Sequence, residues 1–231
     1  MIAIVDVPAT PRWAATVLLL RQAQSAVEIL FLRRNPQLKF QGNYWVFPGG
    51  RIDETDFDQS AKPDQMEETA ARRAAIREAY EEARIDLSQS QLFHAAHWTT
   101  PVTSPIRYAT WFFIAVSPTA AVTVDGSEIE DHVWLKPSEA LRRQRQGSMQ
   151  MAAPTFALTT RLSACTKVDV ALKAANTWTK ARLCAEVRET DDGVVAIYQQ
   201  DGSHGGKPLN EPGPRHRLWM VRSGWRYEES F

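Results

Sequence analysis

The sequence predicts a fold of the α/β class, with strands on either side of one long alanine-rich helix and an extension of helices and a hairpin at the C-terminal end. Three observations carry this. The apolar runs Trp13 to Arg21 (WAATVLLLR) and Ala26 to Arg33 (AVEILFLR), parted by the polar Gln22-Ala23-Gln24-Ser25, read as a hairpin or adjacent strands. A helix is expected from about Met66 to Arg84, where Ala70, Ala74, Ala75, Ile76, Ala79, Tyr80 and Ala83 form a small-residue packing surface. Arg107 to Val116 (RYATWFFIAV) is a further apolar run of strand length.

Taken in order, the hairpin is followed by Arg34 to Tyr44, rich in turn formers and basic residues, and by the short strand Trp45-Val46-Phe47. Pro48-Gly49-Gly50 makes a turn. Arg51 to Gln65 (RIDETDFDQSAKPDQ) is acidic, carries Pro63 and shows no period, so it reads as a surface excursion. Asp64 suits the N-cap of the helix, and Glu67 and Glu68 in its first turn complement the helix dipole. Leu92 to Thr100 leads to the third apolar run. Ile129 to Leu135 then reads as a strand entering a helix at Pro137 or Ser138. Phe156 to Ala164 and Val168 to Ala175 are helix-like, Trp178 to Glu189 and Val194 to Gln199 have strand character, and Asp201 to Pro214 is a loop rich in Gly and Pro. His216 to Val221 and Trp225 to Glu228 close the chain as a hairpin, with Arg215, His216 and Arg217 expected on its polar rim. The expected organisation is a core over residues 1–150 with an insert at about 55–67, and an extension over residues 151–231 packed on that core.

Composition narrows the partners. With 231 residues and 44% hydrophobic content the chain can bury a sizeable core. Lys+Arg and Asp+Glu number 27 each, so the overall charge points neither to nucleic acid nor to an anionic membrane surface. The start, MIAIVDVPATPRW, has no basic segment followed by an apolar one, and no run approaches the length of a membrane span; a cytoplasmic protein is expected. Cys165 and Cys184 have neither metal-pair spacing nor the density of a disulfide scaffold, and read as reduced thiols.

The chemistry is concentrated in Arg77-Glu78-Ala79-Tyr80-Glu81-Glu82. On a helix, Glu78, Glu81 and Glu82 at i, i+3 and i+4 project from one face. Without a cation the three carboxylates repel by a few tenths of a kcal/mol per pair; a hard dication, Mg2+ or Mn2+, turns the cluster into a ligand set. Gly49 and Gly50 let backbone approach that metal or a phosphate closely. Arg77 can hold an acidic neighbour or the turn in place, and Arg33, Arg34 and Lys39 could meet substrate phosphate.

These residues resemble the Nudix hydrolase family, whose signature runs Gly, five residues, Glu, seven residues, Arg-Glu-apolar-any-Glu-Glu-any-Gly-apolar. Gly50 fits its start and Arg77-Glu78-Ala79-Tyr80-Glu81-Glu82-Ala83 with Ile85 its end. Gly50 and Arg77 lie 27 positions apart, about 13 more than in the signature, so the mid-box acid could be Asp56, Glu67 or Glu68. Arg84 stands where the family has Gly. The expanded box, and the Trp98-Thr99-Thr100-Pro101 stretch ahead of a strand, resemble an interrupted-box branch that includes the peroxisomal coenzyme A diphosphatases.

The resemblance implies a mixed β-sheet sandwiched between helices and metal-dependent hydrolysis of a nucleoside diphosphate linked to a moiety X. Glu78, Glu81, Glu82 and Gly50 would hold the metal, Arg77 would act with them, and Gly49, Gly50, Arg33 and Arg34 would bind substrate. Coenzyme A or an acyl derivative is the leading X. ADP-ribose, a dinucleotide, or a nucleotide-binding module without catalysis are the alternatives. Glu128 or Glu130 would supply an acid outside the box, and a homodimer is an option. His94 and His97 read more readily as structural than as catalytic.

Overall fold

The computed structural model describes residues 8–24, 26–58 and 65–230. The leader reading of residues 1–7, Ser25 of the first turn, and residues 59–64 of the insert, Asp64 among them, lie outside the described residues. By its internal packing the chain divides into two compact units, one formed by residues 13–96 and 110–180, the other by residues 1–12, 97–109 and 181–231.

The first unit is built on the expected hairpin. Strands β1 (Arg12–Gln22) and β2 (Val27–Arg34) pair antiparallel, with Leu20 opposite Ile29. Strand β3 (Trp45–Val46) joins β2, placing Trp45 opposite Arg33. The turn glycines belong to a further strand, β4 (Gly49–Arg51), which pairs with β1 so that Thr16 faces Gly49 and Ala15 faces Gly50. Sequence reasoning read only a turn there, because a three-residue strand containing two glycines has no period to detect. β5 (Phe93–Thr99) and β6 (Tyr108–Val116) continue the sheet in the order β3-β2-β1-β6-β5, and β7 (Ile129–Leu135) pairs with β2.

Helix α1 (Met66–Ala83) lays Ala71, Ala74, Ala75, Ala79 and Ala83 on one face of this sheet, against Ala15, Val17, Leu19, Leu30, Leu32 and Phe113. Alanines at the contact let the helix backbone lie close to the strands, which sets the height of the carboxylates on its edge. The opposite face buries Leu18, Leu20, Ile29, Phe31 and Ile114. On β2 it meets α2 (Pro137–Arg145), against which α3 (Ala153–Arg161) packs, and α4 (Val168–Thr177) follows. Pro137 is the first residue of α2, where its missing N–H costs nothing.

Arg84, in the place of the family's Gly, adopts the left-handed conformation that a glycine would (φ 55°, ψ 33°), and its N–H donates to Tyr80 O at 3.0 Å. The helix thus closes as it would with Gly, at the steric cost of a Cβ in that region. Arg84→Gly is expected to raise stability by about 0.5–1 kcal/mol, the relief of that cost less the extra freedom of an unfolded glycine; a urea titration measures it.

In the second unit, β8 (Arg182–Cys184) runs parallel to β5, pairing His97 with Arg182, which makes the larger sheet mixed. The remaining strands, β9 (Glu186–Thr190), β10 (Gly193–Ile197), β11 (Arg215–Val221) and β12 (Arg226–Ser230), form a separate antiparallel sheet in the order β12-β11-β10-β9. The expected closing hairpin is therefore half of a four-stranded sheet. Its expected polar rim is partly interior: His216 and Arg217 are buried. The Arg217 guanidinium donates to Asp201 Oδ2 at 2.7 Å and Oδ1 at 2.5 Å and to Ser203 Oγ at 3.0 Å, while the His216 ring lies between Gln200 Oε1 and the Tyr227 hydroxyl, each at 2.9 Å.

Candidate active site

The two ends of the expanded box meet although 27 positions part Gly50 from Arg77. Pairing of β4 with β1 and packing of α1 on the same strands bring the glycines to the carboxylate edge of the helix. Gly49 N–H donates to Glu82 Oε2 at 2.9 Å. A Cβ built on Gly50 would lie 2.3 Å from Glu78 Oε1, and one on Gly49 would lie 2.4 Å from Ala15 O and 2.6 Å from Thr16 Cα. Both positions need glycine for close approach, one to a carboxylate and the other to backbone.

Gly50→Ala and Gly49→Ala therefore separate two effects. The first is expected to displace the Glu78 carboxylate and lower turnover about a hundredfold, with a smaller loss of stability. The second presses on backbone that cannot move aside and is expected to destabilise by about 1–3 kcal/mol. Parallel turnover and unfolding measurements on the two variants check this.

Arg77 is the hub of the charges. Its guanidinium donates to Glu78 Oε1 at 2.8 Å and Glu81 Oε2 at 3.0 Å on one side, and on the other to Asp56 Oδ2 at 2.9 Å and Arg51 O at 3.0 Å. The hydrogen bond to Asp56 is the largest influence holding the Arg77 pKa above its ordinary value. Asp56 is itself buried, in a 3-10 turn at Glu54–Asp56, and accepts the Asp53 N–H at 2.8 Å. Of the three acids that sequence spacing left open, Asp56 is the one beside Arg77; Glu68 pairs with Arg72 along the helix. Its spacing of six from Gly50 was a signal in the sequence.

Burial dominates the electrostatics of the other two carboxyls. It pushes Glu82 up to about 8, against the Gly49 N–H that favours the charged form; the nearby Glu78 raises it further and Arg34 lowers it. Burial likewise raises Glu78, against Arg77, with Glu81 and Glu128 adding repulsion. Both groups are thus poised to gain from an added cation.

Among the described residues no three His, Cys, Asp or Glu side chains stand together as a finished metal cluster. Glu81 is turned to Arg77 and Glu82 to Gly49. The donor set nevertheless fits a hard dication in kind, being carboxylate oxygens on one helix edge, destabilised as anions by burial, with a guanidinium already drawn to two of them.

Of the acids outside the box, Glu128 acts on both Glu78 and Glu82, and its Oε2 is 3.9 Å from Arg34. Its loop is fixed by Asp125, whose Oδ1 accepts the Ser127, Glu128 and Ile129 N–H groups, and by Asn35 N–H to Glu128 O at 2.8 Å. The Asp125-Gly126 pair was the available sequence signal for this turn. Glu130 and Asp131 instead flank Arg33, at 3.0 and 3.4 Å. Lys39 is exposed. The His94 ring packs 4.8 Å from that of Trp111 and burial lowers its pKa, while His97 is buried in β5.

Comparison with known proteins gives the family and the fold. The Nudix domain model matches residues 10–154. A Caenorhabditis elegans protein named as a nudix hydrolase, number 7, is 24% identical over 217 residues, covering 78% of this chain and 70% of its own. The NUDIX hydrolase from Alicyclobacillus acidocaldarius superposes with a TM-score of 0.62 at 23% identity, over 71% of this chain and 96% of its own. The NUDIX domain of Shewanella oneidensis NrtR, complexed with ADP ribose, gives a TM-score of 0.49 at 17% identity, over 66% of this chain and 86% of its own. No helix among the described residues is long and apolar enough to cross a membrane. A family match across well over half the chain, on a mixed sheet with the carboxylate helix packed against it, means that this chain belongs to the Nudix family, a family of pyrophosphohydrolase enzymes.

Proposed function

We propose that this chain hydrolyses the diphosphate linkage of a nucleoside diphosphate-X substrate with a divalent cation, Mg2+ or Mn2+, held by Glu78, Glu81, Glu82 and the Gly50 backbone. The observation that supports the proposal is the seating of two pKa-raised carboxyls of α1, Glu82 buried and Glu78 partly buried, against the Gly49-Gly50 strand. Such a cost is expected where a cation is to be bound. Bound there, the cation supplies neutralisation of the diphosphate and a lowered pKa for the attacking water.

The chain's own residues do the rest. Arg77, braced by Asp56, keeps Glu78 and Glu81 in register on the helix edge. Arg34, close enough to affect Glu82, orients the diphosphate. Glu128, held by Asp125, accepts the proton of the water as its oxygen bonds to phosphorus and the P–O bond to the leaving phosphate breaks.

For X we propose coenzyme A or an acyl-coenzyme A. The expanded box and the Trp98-Thr99-Thr100-Pro101 stretch support this choice. The test is product analysis with coenzyme A, ADP-ribose, a dinucleoside polyphosphate and NADH, each with Mg2+ and with Mn2+. Cleavage of coenzyme A ahead of the others is expected. Faster cleavage of ADP-ribose or a dinucleotide would replace X, and nucleotide binding without turnover of any diphosphate would make the chain a binding module.

A further inference from the structure

Strand β7 breaks step with β2 at one residue. From Leu135 to Asp131 the two strands pair one for one, Leu135 opposite Ile29 and Asp131 opposite Arg33, but Arg34 then faces Ile129. Glu130 is the extra residue, a β-bulge, the device by which a strand re-aims a side chain.

The bulge decides which acid reaches the carboxylate helix. Side chains alternate along a strand, and Leu30, Leu32 and Trp134, which is opposite Leu30, pack on the α1 face of the sheet. Unbroken alternation from Trp134 through His132 would put Glu130 on that face, opposite Arg34. Ile129 stands there instead and is fully buried in the α1 core. Glu130 is turned to the other face, where its carboxylate lies 3.0 Å from the Arg33 guanidinium. Glu128, one residue ahead of the strand, is left 3.9 Å from Arg34 and acts on Glu78 and Glu82.

Arg33 is built into this arrangement rather than into a phosphate site. It alternates with Leu32 and Arg34, so it points away from α1, where two carboxylates meet it, Glu130 and, at 3.4 Å, Asp131. Its guanidinium carbon lies 5.8 Å from the centre of the Trp45 ring, and Trp45 N–H donates to Gln150 O at 2.8 Å. In an unbulged register Arg33 would keep Asp131 opposite it and lose Glu130, so the Glu130 pair rewards the bulged register alone. Burial of Ile129 holds the register as a whole. Part-exposed ion pairs are too weak for that; what they fix is the aim of the turn. On its far side the turn is tied by Asn35, whose N–H donates to Glu128 O at 2.8 Å and whose side-chain amide donates to Ser127 O at 3.0 Å.

We propose that Arg33 is a positioning residue: through Glu130 it clamps the β7 bulge, and so presents Glu128, not Glu130, to the carboxylate helix. The inference rests on the proposed role of Glu128 for its effect on turnover, while the clamp itself can be tested without hydrolysis.

The experiment pairs NMR exchange of the Asn35 and Ile129 amide protons with steady-state kinetics on the diphosphate turned over fastest. The proteins are wild type, Arg33→Gln, Arg33→Lys, Glu128→Gln and the Arg33→Gln, Glu128→Gln double variant. Arg33→Gln is expected to speed exchange of both amides about threefold or more, the scale of a part-exposed ion pair. It should lower kcat about tenfold, because misplacing a reacting group by about 1 Å costs about a hundredfold, and leave KM within about threefold. Arg33→Lys, which keeps the charge, should retain most of kcat. In the Glu128→Gln background the Arg33→Gln change should cost less than about twofold, since both act through one group. A raised KM at unchanged kcat would make Arg33 a substrate ligand and overturn the assignment. An equal loss of kcat with and without Glu128, or unchanged amide exchange, would also overturn it. If Glu128→Gln turns over like wild type, or no diphosphate is cleaved, the proposed base or the proposed hydrolysis falls, and exchange alone decides on the clamp: faster exchange in Arg33→Gln supports it and unchanged exchange overturns it.

Discussion

Glu82→Gln is expected to lower diphosphate turnover about a hundredfold or more while leaving the fold as stable as before. A ligand's loss should cost at least what the loss of a ligand's supporting partner costs, about 10–100-fold. Stability should hold because Gln keeps the shape and its amide oxygen can still accept the Gly49 N–H that Glu82 accepts now at 2.9 Å. The substitution also removes a buried carboxyl whose pKa stands near 8, so the unfolding midpoint should stay or rise. Turnover within about threefold of wild type, a ΔΔG‡ under 1 kcal/mol, would take Glu82 out of the metal site.

Arg217→Ala is expected to cost about 3–5 kcal/mol of stability in the second sheet, because it leaves Asp201 buried without its ion partner. The pair also has a pH signature. Burial alone would raise Asp201, but Arg217, Ser203 N–H and His216 N–H together hold it down at about 2. A carboxyl with a depressed folded-state pKa contributes stability that is fully present above its ordinary value, roughly 4, and is lost as pH falls toward 2. Wild type should therefore lose on the order of 2 kcal/mol across that window, and Asp201→Asn, already lacking the ion pair, should lose less. Thermal melts at pH 5, 4, 3 and 2 read both results.

Much of this was legible in the chain. Apolar runs of strand length gave β1, β2, β6 and β7 to within a residue or two, and alanine periodicity gave α1, because those segments meet the core along their whole length. The carboxylate edge was legible because i, i+3, i+4 spacing is local. What was not legible depends on contacts between distant residues. Which of the three acids stands beside Arg77 depends on the turn at Glu54–Asp56, which brings Asp56 to it from 21 positions away. The different neighbours of Glu128 and Glu130 depend on the register shift between Arg33 and Arg34, which leaves Glu128 acting on Glu82 and Glu130 paired with Arg33. Arg217 resembled a rim residue because its partner, Asp201, lies in a loop whose Gly and Pro content signals surface. Arg84 shows the converse. A missing glycine looked like a break in the motif, yet the helix end imposes the same left-handed conformation on arginine.

We place diphosphate cleavage on one cation site on α1. The measurement that addresses it most directly is Mn2+ binding, followed by electron paramagnetic resonance, alongside product formation from coenzyme A and ADP-ribose, in wild type and in the Glu81→Gln, Glu82→Gln double variant. Wild type is expected to bind Mn2+ and cleave a diphosphate, and a folded double variant to do neither. Turnover that survives in the double variant would contradict it.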